Sequence, residues 1–363
     1  MGLINPGSVK KSTSAEKFFR DNTTGKTDVP GKNAAPDFQQ RAMCFSWNIC
    51  VFFLELHGMI AHIILIQAQL SSIRENIVMD QISRDELQYY MKQYQVDHSV
   101  ADLTPTLCAL HGVEPPENCG AAEIAGVVDQ AQHLTGGEVG KIRRSLVFCP
   151  DAVGEVHRKT FPEMLAQVEK LAGMRFLCSS VVPSVTPVCY ASIFSGASPK
   201  IHGIHKYEKP ILTIPTLFDA FSAAGKSVAI ISVNGCSIDR IFRNRNVDYY
   251  STRDDAIAHR ITRRLIEEDE YDVIVSYYTS YDHMSHVSGW NSTDSIKALA
   301  TAVEYFKTLV ADTERCWKKY PRAVIWTPDH GNHAIDEHTG NHGDNIPEDM
   351  LVNHFYRLRA AEE

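Results

Sequence analysis

From residue 145 onward the chain alternates short apolar runs with longer amphipathic stretches. The runs at 145–149 (SLVFC), 174–182 (MRFLCSSVV), 227–233 (SVAIISV), 272–278 (DVIVSYY) and 323–327 (AVIWT) are too short for helices. Their near-continuous hydrophobicity predicts strands buried on both faces. Helical periodicity fills the intervals at 161–173, 214–225, 254–268 and 294–319. This order predicts an α/β domain with a mainly parallel central sheet and helices on both faces. The tail at 348–359 predicts a last edge strand or a short helix.

Upstream, the pattern is helical from about residue 80 to 140. A capping box, Ser83 with Glu86, opens a helix at 82–96. A second stretch, at 103–117, is ended by Gly112 and two prolines, and a third covers 121–134. Residues 1–43 are polar and aperiodic, which predicts disorder. The apolar stretch 44–69 is long enough to span a bilayer. Asn48, Glu55, His57 and His62 interrupt it, so a buried or interfacial helix is the expectation. The expected domains are therefore an N-terminal extension (1–78), a small helical module (79–140) and a catalytic domain (141–363).

Composition narrows the function. The 363 residues carry a net charge of −8, which argues against a nucleic-acid-binding surface. The nine Cys show no CxxC and no regular spacing, as expected of a reduced, cytoplasmic protein. Association with a membrane through residues 44–69 is the alternative. Seven of the 16 His fall between His283 and His354, a clustering that points to metal.

In open sheets ligands bind beyond the carboxyl ends of the strands. Asp151 follows the first strand run, and Thr186-Pro187 follows the second. Asp282 and His286 follow the fourth, four residues apart on one helical face, and Asp329-His330-Gly331 follows the fifth. Asn341-His342-Gly343-Asp344 comes shortly after. Each piece alone reads equally well as a cap, a turn or an exposed pair. Together they bring carboxylates, imidazoles and one hydroxyl to one sheet edge. That set suits divalent ions, which can clamp the oxygens of an in-line displacement and activate a Thr hydroxyl.

These residues, in this order, resemble the alkaline phosphatase superfamily, and within it the type I phosphodiesterase/nucleotide pyrophosphatase branch. The resemblance runs from about residue 145 to the C-terminus. Its most specific piece is PSVTPVCYASIFSGASPKIHGIHKY, residues 183–207, with a G-x-x-P-x-x-H-G-I stretch from Gly196 to Ile204. The resemblance implies an alkaline phosphatase-like fold and two metal ions, zinc first and manganese second. Asp151, Asp329, His330 and the Thr186 hydroxyl would hold one ion, and Asp282, His286 and His342 the other, with His338 a rival for His342. Thr186 would be the nucleophile, forming a phospho-threonine intermediate on a small phosphorylated substrate.

The sequence departs from the branch at two positions. Its diesterases commonly carry Asn where this chain has Cys189, and a second Asn where it has Tyr207. Cys189 by that position, and Lys206, Tyr207 and Lys209 by their place in the loop after the nucleophile helix, are the expected substrate contacts. A phosphonate hydrolase, a phosphomonoesterase or a phosphomutase of the same superfamily are the alternatives. A non-catalytic binding protein is disfavoured, because the full ligand set and nucleophile are present. Thr186-Pro187-Val188-Cys189 does not fit the sulfatase motif. Residues 100–117 resemble a segment that relatives carry after the ligands, and here they precede Asp151.

Overall fold

A computed structural model describes residues 38–336 and 338–362; the side chains of residues 38–58 and of Ile60 lie outside the description. The chain divides into two units, Met1–Ala68 and Gln69–Glu363. The first is described only as helical backbone from Phe38 and as exposed side chains at Met59 and at 61–68. The expected disorder over 1–43 falls mostly outside the described residues, as do most side chains of the apolar stretch 44–69. Among the described residues no helix is long and apolar enough to cross a membrane.

In chain order the strands are β1 (His98–Ser99), β2 (Arg144–Pro150), β3 (Met174–Ser179), β4 (Val228–Val233), β5 (Asp248–Thr252), β6 (Val273–Tyr278), β7 (Arg322–Trp326), β8 (His333–Ala334), β9 (Gly340–Asn341) and β10 (Leu351–Arg359). Eight form one sheet, in the order β1-β3-β10-β7-β2-β6-β4-β5. All its pairings are parallel except those of β10, which is antiparallel to both β3 and β7. This is the expected mainly parallel sheet. The tail is not an edge strand, however: β10 lies inside the sheet, and its Val352–Tyr356 stretch is buried.

The helices are α1 (Phe38–Tyr94), α2 (Leu103–His111), α3 (Ala125–Leu134), α4 (Glu155–Thr160), α5 (Pro162–Ala172), α6 (Thr186–Ser195), α7 (Pro199–His202), α8 (Leu217–Ala223), α9 (Ser237–Ile241), α10 (Asp255–Glu268), α11 (Ser280–Ser288), α12 (Thr293–Cys316) and α13 (Pro347–Met350). They cover two separate cores, one on each face of the sheet. Strand alternation assigns residues to each. On β2, Leu146 and Phe148 join the core holding α10 and α12, while Val147 and Cys149 join the core holding α2, α6 and α8. Phe148 lies between Tyr278 and Trp326, with ring centroids 4.4 and 5.0 Å away.

The upstream helical segment belongs to the second core. Thr104 of α2 donates to the Ile193 carbonyl of α6 at 2.7 Å, and β1 extends the sheet beside β3. Residues 100–117 therefore brace the helix that Thr186 opens. The interval between Thr186 and Asp282 runs through α6–α10 and β4–β6 into the start of α11.

Candidate active site

Thr186 is the first residue of α6, with Pro187 pre-set for the first helical turn. The β2, β3, β6 and β7 ends surround it. Thr186 is 3 % exposed, and its Oγ1 lies 3.3 Å from His330 Nε2. His330 Nε2 is in turn 3.5 Å from Asp151 Oδ1 and 3.3 Å from Asp329 Oδ2. A second group sits alongside. Asp282 Oδ1 is 3.3 Å from His286 Nε2 and 3.5 Å from His342 Nε2. The His330 and His342 rings stack with centroids 3.8 Å apart.

One backbone device orients all three imidazoles. His330 Nδ1 donates to the Gly331 carbonyl, His286 Nδ1 to the Gly340 carbonyl and His342 Nδ1 to the Ser184 carbonyl, at 2.9, 3.0 and 2.9 Å. A carbonyl can only accept, so each ring keeps its proton on Nδ1 and turns the Nε2 lone pair into the site. His286 Nε2 and His342 Nε2 then face each other at 3.2 Å, two lone pairs with no proton between them. That contact is repulsive unless a cation lies between them.

The carboxylates carry the same signature. Asp151 Oδ1, Asp329 Oδ2 and Asp282 Oδ1 are buried without a hydrogen-bond partner. Their other oxygens are held where partners exist: Tyr277 donates its phenol to Asp151 Oδ2, and Ala152 N donates to Asp329 Oδ1 at 3.3 Å. Burial, then the charges of Asp329 and Asp282, pushes the Asp151 carboxyl well above the usual carboxylate range. Burial, then Asp282, does the same to Asp329. Burial works against Asp282 as well, but the nearby imidazoles of His286, His342 and His330 hold it below the usual range. Burial and His342 push His330 well down, while the Asp282 contact raises His286.

Divalent cations fit this arrangement. Asp151, Asp329 and His330 offer ligand atoms within 4.8 Å of one another, and so do Asp282, His286 and His342. Bound ions would complete the three orphaned oxygens and restore the charged carboxylates. A further cluster, His333, Asp344 and Asp349, is already self-satisfied. Asp349 accepts from His333 Nδ1 at 2.8 Å and from the Asp344 amide at 3.0 Å, bracing the loop that carries His342. Gly331 is required beside the site, since a Cβ there would overlap the Glu348 carbonyl.

The site opens into a cleft of about 710 Å³ lined by Asp151, Thr186, Asp282, His286 and His342 on one side. Tyr207, Lys209 and the turn at 233–237 contribute other lining residues. Of the expected substrate contacts Tyr207 and Lys209 line the cleft. Lys206 is exposed beyond it and pairs with Glu208 at 3.4 Å. Cys189 is fully buried behind the site, its Sγ 3.2 Å from Ser180 Oγ. A Cys at the fourth helical residue points into the core under the catalytic edge. His338 is exposed and belongs to neither ligand group.

Tyr277 and the Asn234–Ser237 turn also belong to the site. Nothing in the pattern of residues singles out Tyr277, one apolar position in a buried strand run. The turn follows β4 and is reachable by the same strand-end rule that leads to the other residues.

Residues 156–357 match the family described as Phosphodiest, type I phosphodiesterase / nucleotide pyrophosphatase. The chain belongs to this family. Among curated proteins it is similar to the human GPI ethanolamine phosphate transferase 2, catalytic subunit, at 23% identity over 205 residues, covering 53% of this chain and 20% of that protein. The chain thus spans about a fifth of that relative's length. Among solved structures it is similar to human ectonucleotide pyrophosphatase / phosphodiesterase 5, at 12% identity and TM-score 0.47, covering 59% of this chain and 87% of that one. It is also similar to phosphonoacetate hydrolase from Sinorhizobium meliloti 1021, at 17% identity and TM-score 0.42, covering 55% of this chain and 60% of that one. The family and these relatives comprise phosphoester hydrolases or transferases and a phosphonate hydrolase.

Proposed function

We propose that this family member is a two-metal-dependent hydrolase of phosphate esters, with Thr186 as nucleophile. The observation that carries the reading is the shared orientation of His286, His330 and His342. Each ring is pinned through Nδ1 to a backbone carbonyl and turned by Nε2 toward an unpartnered carboxylate oxygen. Asp151, Asp329 and His330 would hold one divalent ion with the Thr186 hydroxyl, and Asp282, His286 and His342 the other. Imidazole and carboxylate donors suit zinc, and manganese is the second choice. When bound, the ions supply a clamp on the phosphoryl oxygens and lower the pKa of the hydroxyl.

The chain's own residues do the rest. Thr186 Oγ1, held at the start of α6, attacks phosphorus in line with the leaving oxygen. The P–O bond to the leaving group breaks and the departing alcohol takes up a proton. Water then attacks the phospho-threonine, releasing phosphate or its monoester and restoring the hydroxyl. The α6 N-terminus places its amides behind the phosphoryl oxygens. Tyr277 keeps Asp151 in register, and Asp349 keeps the His342 loop in place. The substrate is a small phosphorylated molecule that fits the cleft.

The experiment uses bis-p-nitrophenyl phosphate, p-nitrophenyl phosphate and a phenylphosphonate ester, each after chelation and after adding back Zn²⁺ or Mn²⁺. Metal-restored turnover with preference for the diester is the expected result. Preference for the monoester or phosphonate would move the protein to the corresponding branch. No turnover together with no bound metal would refute the proposal.

A further inference from the structure

The cleft has a second side, and its chemistry bears on what the substrate carries. Lys209 is the one Lys or Arg among the described residues that line it. Its Nζ donates to the Gly235 carbonyl at 3.2 Å, which ties the loop after α7 to the turn after β4. The same Nζ stands 5.2 Å from the centroid of the Tyr207 ring. No carboxylate among the described residues pairs with it; the nearby Glu208 is paired with Lys206. This ammonium is half-buried, fixed in position and without a counter-ion, while the opposite side of the cleft holds the metal-ligand carboxylates. A cation in that state is satisfied by an anion brought by the ligand.

A simple phosphodiester carries one negative charge, at the phosphate that Thr186 would attack. Ions held by the ligand groups, together with the α6 N-terminus, would attend to that charge. We propose that Lys209 reads a second anionic group, a phosphate or a carboxylate, on the far side of the substrate from the scissile phosphate, with Tyr207 as the platform between them. The proposal rests on the cleft being a phosphoryl site. It makes Lys209 a specificity-determining residue and narrows the substrate class to phosphoric esters or anhydrides that carry a further anion. Asn234 and Ser237, on the same side, supply neutral polar contacts.

The test is calorimetric binding of paired phosphonates to the zinc-loaded full chain. Alkylphosphonates with two-, three- and four-carbon chains are compared with the ω-carboxylates of the same lengths. In wild type at least one carboxylate binds about tenfold tighter than its alkyl partner, as expected for one charge-assisted hydrogen bond. The advantage shrinks as salt is raised. Lys209→Met keeps the stem over Tyr207 and reduces the ratio to within about twofold. Lys206→Met retains it. Equal binding within every wild-type pair overturns the proposal. So does an unchanged ratio in Lys209→Met, or a Lys209→Met loss shared equally by both members of a pair, which would mark a purely structural tether. Ester hydrolysis with no carboxylate preference removes this inference alone. Failure of every phosphonate to bind, with no hydrolysis, removes the phosphoryl site and this inference with it.

Discussion

Replacing Tyr277 with Phe tests whether the donor set is built for metal. Tyr277 sits near the carboxyl end of β6, is 2 % exposed and gives its phenol proton to Asp151 Oδ2. Burial, then the Asp151 charge, pushes that phenol well above its usual range, so the group stays a donor. The substitution removes one oxygen and leaves the ring in its packing against Tyr190, 5.2 Å away between centroids. Both Asp151 oxygens then lack a hydrogen-bond donor. Losing a donor to a buried carboxylate costs about 1.5–3 kcal/mol. If that carboxylate serves a metal, the loss emerges as about 10–100-fold weaker binding at that site. The zinc-binding isotherm, measured by chelator competition, should change from two tight sites to one tight and one weakened. Tyr278→Phe is the control, because that side chain faces the opposite core. Two unchanged zinc affinities in Tyr277→Phe would refute the reasoning. So would equal weakening in both variants.

Asp349→Ala should show the reverse pattern. It frees His333 and the Asp344 amide, loosens the His342 loop and weakens the Asp282 site while sparing the Asp151 site in the same titration. Acid should destabilise the fold through buried neutral histidines. Burial lowers His111 to about 3 and His157 and His354 to about 4. Folded values below the unfolded ~6.5 mean that the unfolded chain takes up protons first. Stability is therefore intact above that value and lost as pH falls from it toward about 4. Each group contributes up to ~1.4 kcal/mol per pH unit, and urea midpoints that stay flat from pH 7 to 5 would contradict this. Phe148→Ala should cost about 3–5 kcal/mol in urea unfolding, since it empties the space between Tyr278 and Trp326.

The sheet was legible because parallel strands are buried on both faces, and runs such as SLVFC and DVIVSYY show it directly. β5 was not, because Asp248–Thr252 is polar and lies at the sheet edge. The position of β10 was hidden too. A strand's period shows that it pairs, not which neighbours it takes, and only the fold inserts it between β3 and β7. At the site, one rule led from strand ends to Asp151, Thr186, Asp282 and Asp329, which the structure brings to one edge. The groups holding these residues were invisible. Gly331, Gly340 and Ser184 contribute backbone carbonyls, which leave no mark on side-chain identity. Cys189 was drawn in because it stands where the resembled diesterases carry Asn, and Lys206 by its place in the loop, yet helix phase turns the first into the core and the loop carries the second past the cleft.

The central claim is that Thr186 carries the phosphoryl group, and rapid acid quench tests it most directly. Zinc-loaded protein is mixed with bis-p-nitrophenyl phosphate, quenched within the first turnover and mapped by peptide mass. The account predicts a nitrophenyl-phosphoryl adduct on the peptide holding Thr186, absent in Thr186→Ala, which also releases no nitrophenolate. Nitrophenolate release by Thr186→Ala at the wild-type rate, with no adduct in either protein, would contradict it.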